Sequence, residues 1–273
     1  METLQLFIKR FGFSFDAIKG VMVLVLIYAR IIPVVVMSPF LGGRLVTGRI
    51  KIILSLLLAI LILPYFYARV SNLPTNLEFV FFLGKEFFVG FVIGFYVSVI
   101  FFAIQGAGFM IDLARGQTQG ILYEPFLQGQ VSVFGTYLNL FAIVVFFLVK
   151  GHILFIQALY ESFFILPIDR FLAVQGALPA PLIDVLRLSA QFFVIALKLA
   201  VPVLLTILSV DILMGIINRI APAINVFFLS FPLKGFVGVL MFLIAFPLIY
   251  DEVQQVLLRM IRFILHMVRL LYG

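Results

Sequence analysis

The sequence predicts an all-α integral membrane protein: about six long, partly broken hydrophobic helices and a C-terminal amphipathic helix, in one membrane domain over residues 1–273. Three observations carry this expectation. Of the 273 residues, 64% are apolar or aromatic and only 11% are charged, against roughly a quarter charged in an ordinary soluble domain. A chain of this size has too few polar residues to cover a soluble core. Six apolar stretches, near 20–41, 50–68, 79–104, 131–160, 190–217 and 224–249, approach the roughly 20 residues that a helix needs to cross hydrocarbon. In the last segment, 252–272, the polar residues Gln255, Arg259, Arg262, His266 and Arg269 recur at steps of four and three, so they form one stripe of an amphipathic helix.

The connections between stretches are short, with two exceptions. Residues 105–130 contain Gly106, Gly108, Gly116, Gly120 and Gly129, with Pro125 and several polar side chains. A long glycine-rich connection in so apolar a chain is a functional candidate. Residues 161–189 carry Pro167, Pro179 and Pro181 among Asp169, Arg170, Asp184 and Arg187, and read as an exposed loop with a short helix. With both termini inside, basic residues divide weakly: Lys9, Arg10, Arg69, Arg170, Arg187 and the C-terminal arginines face Arg44, Arg49, Lys51, Arg115 and Arg219. The positive-inside rule therefore leaves the orientation open.

Charges also fall within or at the edges of the apolar runs: Arg30, Lys85, Glu86, Lys150, Lys198, Asp211 and Lys234. Each costs several kcal/mol if left unpaired at mid-bilayer, so such groups face protein or water. Pro33, Pro202 and Pro232 accompany them, as in helices broken around a transport site or bent around a neighbour. Glu86, Gly90 and Gly94 share one helix face, and a Gly-x-x-x-Gly pair admits another backbone, from the same subunit or a second one. The basic C-terminal stripe fits an interfacial helix on anionic lipid better than a partner-facing or water-lining helix.

The chain has no cysteine and two histidines, His152 and His266, so disulfides, thiolate sites and histidine-rich metal motifs are excluded. No hydrolase elbow, phosphate-binding loop or zinc-protease motif occurs, which makes this a non-enzyme with no cofactor. The formal charge of +7 points to lipid headgroups or partner proteins, not to nucleic acid. No cleavable signal peptide is evident, since Arg30 interrupts the first apolar run and no small-residue cleavage site follows it.

Three stretches together resemble the SctT/FliR family of type III secretion export apparatus proteins. The first is Ser38-Pro39-Phe40-Leu41-Gly42-Gly43, leading through Arg49-Ile50-Lys51 into a helix that ends at Pro64. The second is residues 106–135, followed by Lys150-Gly151-His152 and Ser162 to Pro167. The third and most specific is residues 198–238, with Pro202, Asp211, Gly215, Arg219, Pro222, Asn225, Phe227, Pro232, Lys234 and Gly238 in order. Ile111-Asp112 followed by Arg115-Gly116 looks closer to the injectisome (virulence) branch than to the flagellar one.

The resemblance implies a multi-pass protein of the bacterial inner membrane, within the basal body of the secretion system. It implies helical hairpins built with SctR-like and SctS-like subunits into an export gate, with an SctU/FlhB-like switch protein around the entrance. Unfolded substrate polypeptides would pass through the centre, with the energy supplied outside this chain. The connection matching 105–130 would contribute to a channel plug, carried here by Gly106, Gly108, Asp112, Arg115, Gly116 and Pro125. Asp112 and Arg115 are spaced to pair across one helical turn. Glu86, Gly90, Gly94, Lys198, Asp211, Arg219 and Lys234 would be assembly and ion-pair residues, and Arg259, Arg262, His266 and Arg269 the basic stripe. Two other readings compete: a flagellar gate subunit, and a solute transporter suggested by the prolines beside Arg30 and Lys198, although the two halves of the chain barely resemble each other.

Overall fold

A computed structural model describes residues 17–43, 46–70, 76–117, 132–170, 179–223 and 225–272; the side chains of Ala17, Asn76, 179–189 and 265–272 lie outside the description. Among the described residues there are helices and no strands: α1 Ala17–Met37, α2 Pro39–Gly42, α3 Gly48–Tyr67, α4 Asn76–Ala114, α5 Val133–Leu148, α6 Gly151–Ile165, α7 Pro179–Ile220 and α8 Val226–Tyr272. Five are long and apolar enough to cross a membrane, and α5 with α6 adds a sixth crossing if that pair, bent by 76°, counts as one. This is an all-α integral membrane protein, as the composition requires.

The chain divides into two compact units: Met1–Ser98 with Ile156–Leu178 and Ile264–Gly273, and Val99–Phe155 with Pro179–Phe263. In the first, α1 buries one stripe completely: Val23, Ile27, Arg30, Ile31, Val34 and Val35. The three-and-four spacing of these residues is what one helix face requires. Beside it, α3 buries only the narrow stripe Ser55, Ala59, Ile62 and Phe66. Gly90 and Gly94 of α4 receive α1: a Cβ at Gly90 would overlap the Arg30 backbone, and one at Gly94 would lie 2.9 Å from the Pro33 carbonyl oxygen. The Gly-x-x-x-Gly face is thus filled by this chain's own helix.

In both units some sequence patterns mislead. Residues 105–114, expected to begin a connection, complete α4. Gly108 is a close-approach point and not a breaker, because a Cβ there would overlap the backbone of Phe134 and Gly135. The helix ends at Ala114, and two residues on the chain turns at Gly116, whose φ of 78° lies in the left-handed region open to glycine. Residues 161–165 and 179–189 are likewise helical and not loop. Pro33, Pro202, Pro232 and Pro247 all lie inside continuous helices, since one lost hydrogen bond is tolerated where surrounding elements hold the helix. Of the two readings open for Pro33, Pro202 and Pro232, a break or a bend, the helices show no break. The break falls instead at Lys150, a non-glycine residue at φ 57°, which closes α5 through its N–H to Phe147 and opens α6 by accepting from Ile153.

Three helices exceed any single crossing. With 39, 42 and 47 residues at 1.5 Å each, α4, α7 and α8 run about 58, 63 and 70 Å, roughly twice a 30 Å hydrocarbon core. The C-terminal amphipathic segment 252–272 is the uninterrupted end of α8, not a separate helix. The apolar side chains of its first half, Val253, Val256, Leu257, Met260 and Ile261, are buried in the protein, so that half offers lipid no free apolar face. Arg259 and Arg262 point outward, and the side chains of 265–272 lie outside the description.

Candidate functional site

In the first unit the charges inside apolar runs close on one another. The Arg30 side chain is fully buried, and its Nε donates to Glu86 Oε2 at 2.5 Å. Its two terminal nitrogens donate to carbonyl oxygens at the end of α6: one to Ser162 at 2.9 Å, and also to its hydroxyl at 3.2 Å, the other to Leu166 at 2.8 Å. The guanidinium lies 4.1 Å from the centre of the Phe163 ring. Lys85 sits 2.7 Å from the other Glu86 oxygen and donates to the carbonyls of Pro167 and Arg170 at 2.8 and 2.9 Å. Two cations at the carboxyl end of α6 meet its partial negative charge and its free carbonyls. The single carboxylate between them completes a buried network in which the cations have partners.

In the second unit Asp112, 3% exposed in the last turn of α4, reaches the start of α5. Its Oδ2 accepts from the Ser132 hydroxyl at 2.7 Å and from the Phe134 N–H at 2.9 Å, while the Ser132 oxygen accepts from the Gly135 N–H at 2.8 Å. Serine is thus the N-cap of α5, and the carboxylate stands where the helix dipole favours an anion. Arg115 lies 3.5 Å from the other Asp112 oxygen, donates to the Gly235 carbonyl at 3.3 Å, and sits 4.7 Å from the centre of the Phe134 ring. Its stem runs over Gly238, where a Cβ would approach within 2.8 Å. Asp112 and Arg115 together tie α4, α5 and α8 to one point.

Further along α7 and α8, Lys234 pairs with Asp211, whose side chain is 46% exposed. They line a groove of about 740 Å³ together with Met214, Asn218, Asn225, Phe227 and Phe231. Lys198 lies 3.9 Å from Glu252, which also accepts from Arg259 at 3.0 Å. Arg219 is exposed and has no ion-pair partner among the described residues. Gly106 makes ordinary contact with Phe192. Pro125 lies outside the described residues, as do the side chains of His266 and Arg269.

The sequence singled out the charged positions but, apart from Asp112 with Arg115, not their pairings. Arg30 and Lys85 stood out only as charges in apolar runs; Arg30 reaches Glu86 across 56 residues, and both cations reach the end of α6 across more than 80, beyond any local pattern. Ser132 could have been found as a serine just ahead of an apolar run. Glu252 could have been found seven residues, two turns, before Arg259.

Long apolar helices that bury complete ionic networks, and expose apolar faces elsewhere, define a multi-pass membrane protein built to pack against further apolar surface. Comparison with known proteins makes this specific. The model of the family "Bacterial export proteins, family 1" matches residues 21–260, and the chain belongs to that family. The flagellar biosynthetic protein FliR of Pectobacterium carotovorum subsp. carotovorum is 28% identical over 236 residues, 86% of this chain and 88% of that one. The secretion system apparatus protein SsaT of Salmonella typhimurium is 30% identical over 210 residues, 77% and 79% of the two chains. The Yop proteins translocation protein T of Yersinia pestis is 30% identical over 227 residues, 80% and 84%. The chain is therefore an export-apparatus component and not an enzyme. The solute-transporter reading also loses its footing, because α1 and α7 run unbroken through Pro33 and Pro202.

Proposed function

We propose that this protein is a channel-forming structural subunit of a type III export gate in the bacterial inner membrane, passing unfolded substrate polypeptides together with SctR-like and SctS-like subunits and an SctU/FlhB-like switch protein. The observation that carries this reading is the family match over residues 21–260. Helices twice the bilayer thickness support it, because they extend the subunit beyond the hydrocarbon. So do the apolar side chains left exposed on α7 and α8, among them Phe193, Leu205, Ile212, Phe228, Phe236 and Leu243, an area that a protein of this kind covers with lipid or neighbours.

Within this reading, half-exposed Asp211, exposed Arg219 and Lys234 belong to the assembly surface, and Gly106, Gly108, Asp112, Arg115 and Gly116 anchor the start of the plug connection. Ile111-Asp112 and Arg115-Gly116 favour the injectisome branch. A flagellar gate is the second reading, supported by the FliR relative that covers most of the chain.

The test is co-expression of the tagged chain with its SctR- and SctS-like neighbours in mild detergent, followed by native mass spectrometry. One complex containing all three is expected. A lone chain or a homodimer would overturn the reading. Restoration of effector secretion or of motility in the corresponding deletion strains separates the two branches. Removing residues 118–125 is expected to leave assembly intact and make the membrane leak small ions; a tight membrane with normal secretion would refute the plug assignment.

A further inference from the structure

Helix α3 is matched in length by α1, with 21 residues, but it carries no charge beyond its first turn and is open on most of its girth, whereas α1 is buried along the face that holds Arg30. Helix α3 has 20 residues, about 30 Å at 1.5 Å per residue, which matches one hydrocarbon core. Residues 52–68 carry no charge, and the one hydroxyl between Ile52 and Pro64, Ser55, is buried and donates to the Ile52 carbonyl in its own turn. Around the remaining girth Ile53, Leu57, Ile60 and Leu61 are open, Leu57 at 54% and Leu61 at 76%. A helix that is apolar on every side and buried on one narrow stripe has the pattern of a segment in hydrocarbon.

The ends supply the second observation. At the amino end stand Arg49 and Lys51. At the carboxyl end Arg69 lies 4.6 Å from the ring centre of Tyr65 and 4.9 Å from that of Phe164, and Lys19 lies 5.0 Å from that of Tyr67. Tyr160 packs on Tyr65 with ring centres 5.6 Å apart. Tyrosines and cations grouped at a helix end are the chemistry of the headgroup region, with rings at the boundary and charges among phosphates. Arg49 and Arg69, twenty positions apart, are separated by about 30 Å at 1.5 Å per residue, the thickness of the hydrocarbon.

We propose that α3 is a direct lipid contact of this subunit: its open apolar girth meets phospholipid acyl chains, and its two cationic ends lie among the phosphates of opposite leaflets, setting the depth of the subunit in the bilayer. The occupant is lipid and not a neighbouring protein, because charge at both ends and none between complements a bilayer in cross-section. This goes beyond the gate reading and does not depend on which secretion machine the chain serves.

The chain contains no tryptophan, so single replacements report cleanly. Full-length Ile50→Trp, Leu57→Trp and Tyr65→Trp, with whatever subunits co-purify, are reconstituted in phosphatidylcholine vesicles brominated either near the headgroup or near the acyl methyl end; Ile53→Trp and Leu61→Trp replace any variant that does not fold. Leu57→Trp is expected to be quenched roughly twofold more by the deep bromines than by the shallow ones, and Ile50→Trp and Tyr65→Trp the reverse, as a helix crossing a 30 Å core requires. Absence of quenching at residue 57 in the assembled complex would assign the face to a partner protein. Equal quenching at all three positions would place the helix flat in the interface. Either result overturns the proposal.

Discussion

Two ionic clusters, around Arg30 in the first unit and around Asp211 in the second, use charge in opposite ways. Around Arg30 every ionic partner is inside: guanidinium, carboxylate and ammonium are at most 3% exposed, and backbone carbonyls take the remaining donors. Around Asp211 and Lys234 the pair lies on an open groove, with the carboxylate 46% exposed and Asn218 and Asn225 beside it. A buried network of the first kind cannot lose a member without stranding a charge. A pair of the second kind is exchangeable with water or with a partner's side chain. The comparison teaches that charge among the apolar helices is not one feature: the first cluster is sealed inside the subunit, and the second lies open on its surface, where the proposed assembly contact would reach it.

Removing one member of the Arg30 network is expected to have the largest effect. Glu86→Gln leaves the buried guanidinium and ammonium without a counter-charge, and should destabilise the chain by about 3–5 kcal/mol, seen as a large fall in thermal unfolding temperature in detergent. The double change Arg30→Met with Glu86→Met should return part of that loss by removing one buried cation with the carboxylate, although Lys85 then keeps only its carbonyl partners and the Ser162 and Leu166 carbonyls lack their donor. If the single change were silent, the contrast between the clusters would fail.

Close approaches come next. A side chain at Gly90 or Gly108 must displace backbone, that of Arg30 or of Phe134 and Gly135, so Gly90→Ala and Gly108→Ala should each cost about 1–3 kcal/mol by overpacking. Gly215→Ala and Gly235→Ala, where a Cβ meets nothing within 4 Å, should leave the unfolding temperature of the isolated chain unchanged. At the bend, Lys150→Val puts a β-branched residue at φ 57° and should cost about 1–2 kcal/mol, whereas Lys150→Gly is expected to be tolerated. The smallest effect on the isolated chain belongs to Asp211→Asn, about 1 kcal/mol or less for a half-exposed pair, even though it is expected to lower the yield of assembled complex.

Much of the helical architecture was legible because burial and membrane insertion both act on apolar runs. What was not legible had specific physical causes. Gly106 and Gly108 read as loop residues because glycine disfavours helices in water, yet Gly108 is held in α4 by the backbone it admits. Pro33, Pro202 and Pro232 read as breaks or bends because proline lacks a donor, and the helices pass through them. Lys150 gave no signal at all, since lysine is an uncommon choice for a left-handed turn. The positions of the ionic groups were visible as charges in the wrong solvent. Most of their pairings were not, because Arg30, Glu86 and Ser162 meet across three helices distant in sequence; Asp112 with Arg115, and Glu252 with Arg259, lay within the reach of a local rule.

The most direct test of the division between the two clusters is a paired measurement on Glu86→Gln and Asp211→Asn: the unfolding temperature of each isolated chain, and the yield of its complex with the SctR- and SctS-like subunits. The account predicts a strongly lowered unfolding temperature for Glu86→Gln, and for Asp211→Asn a near-native temperature with reduced complex. A native yield of complex from Asp211→Asn, or a loss of chain stability as large as that of Glu86→Gln, would contradict it.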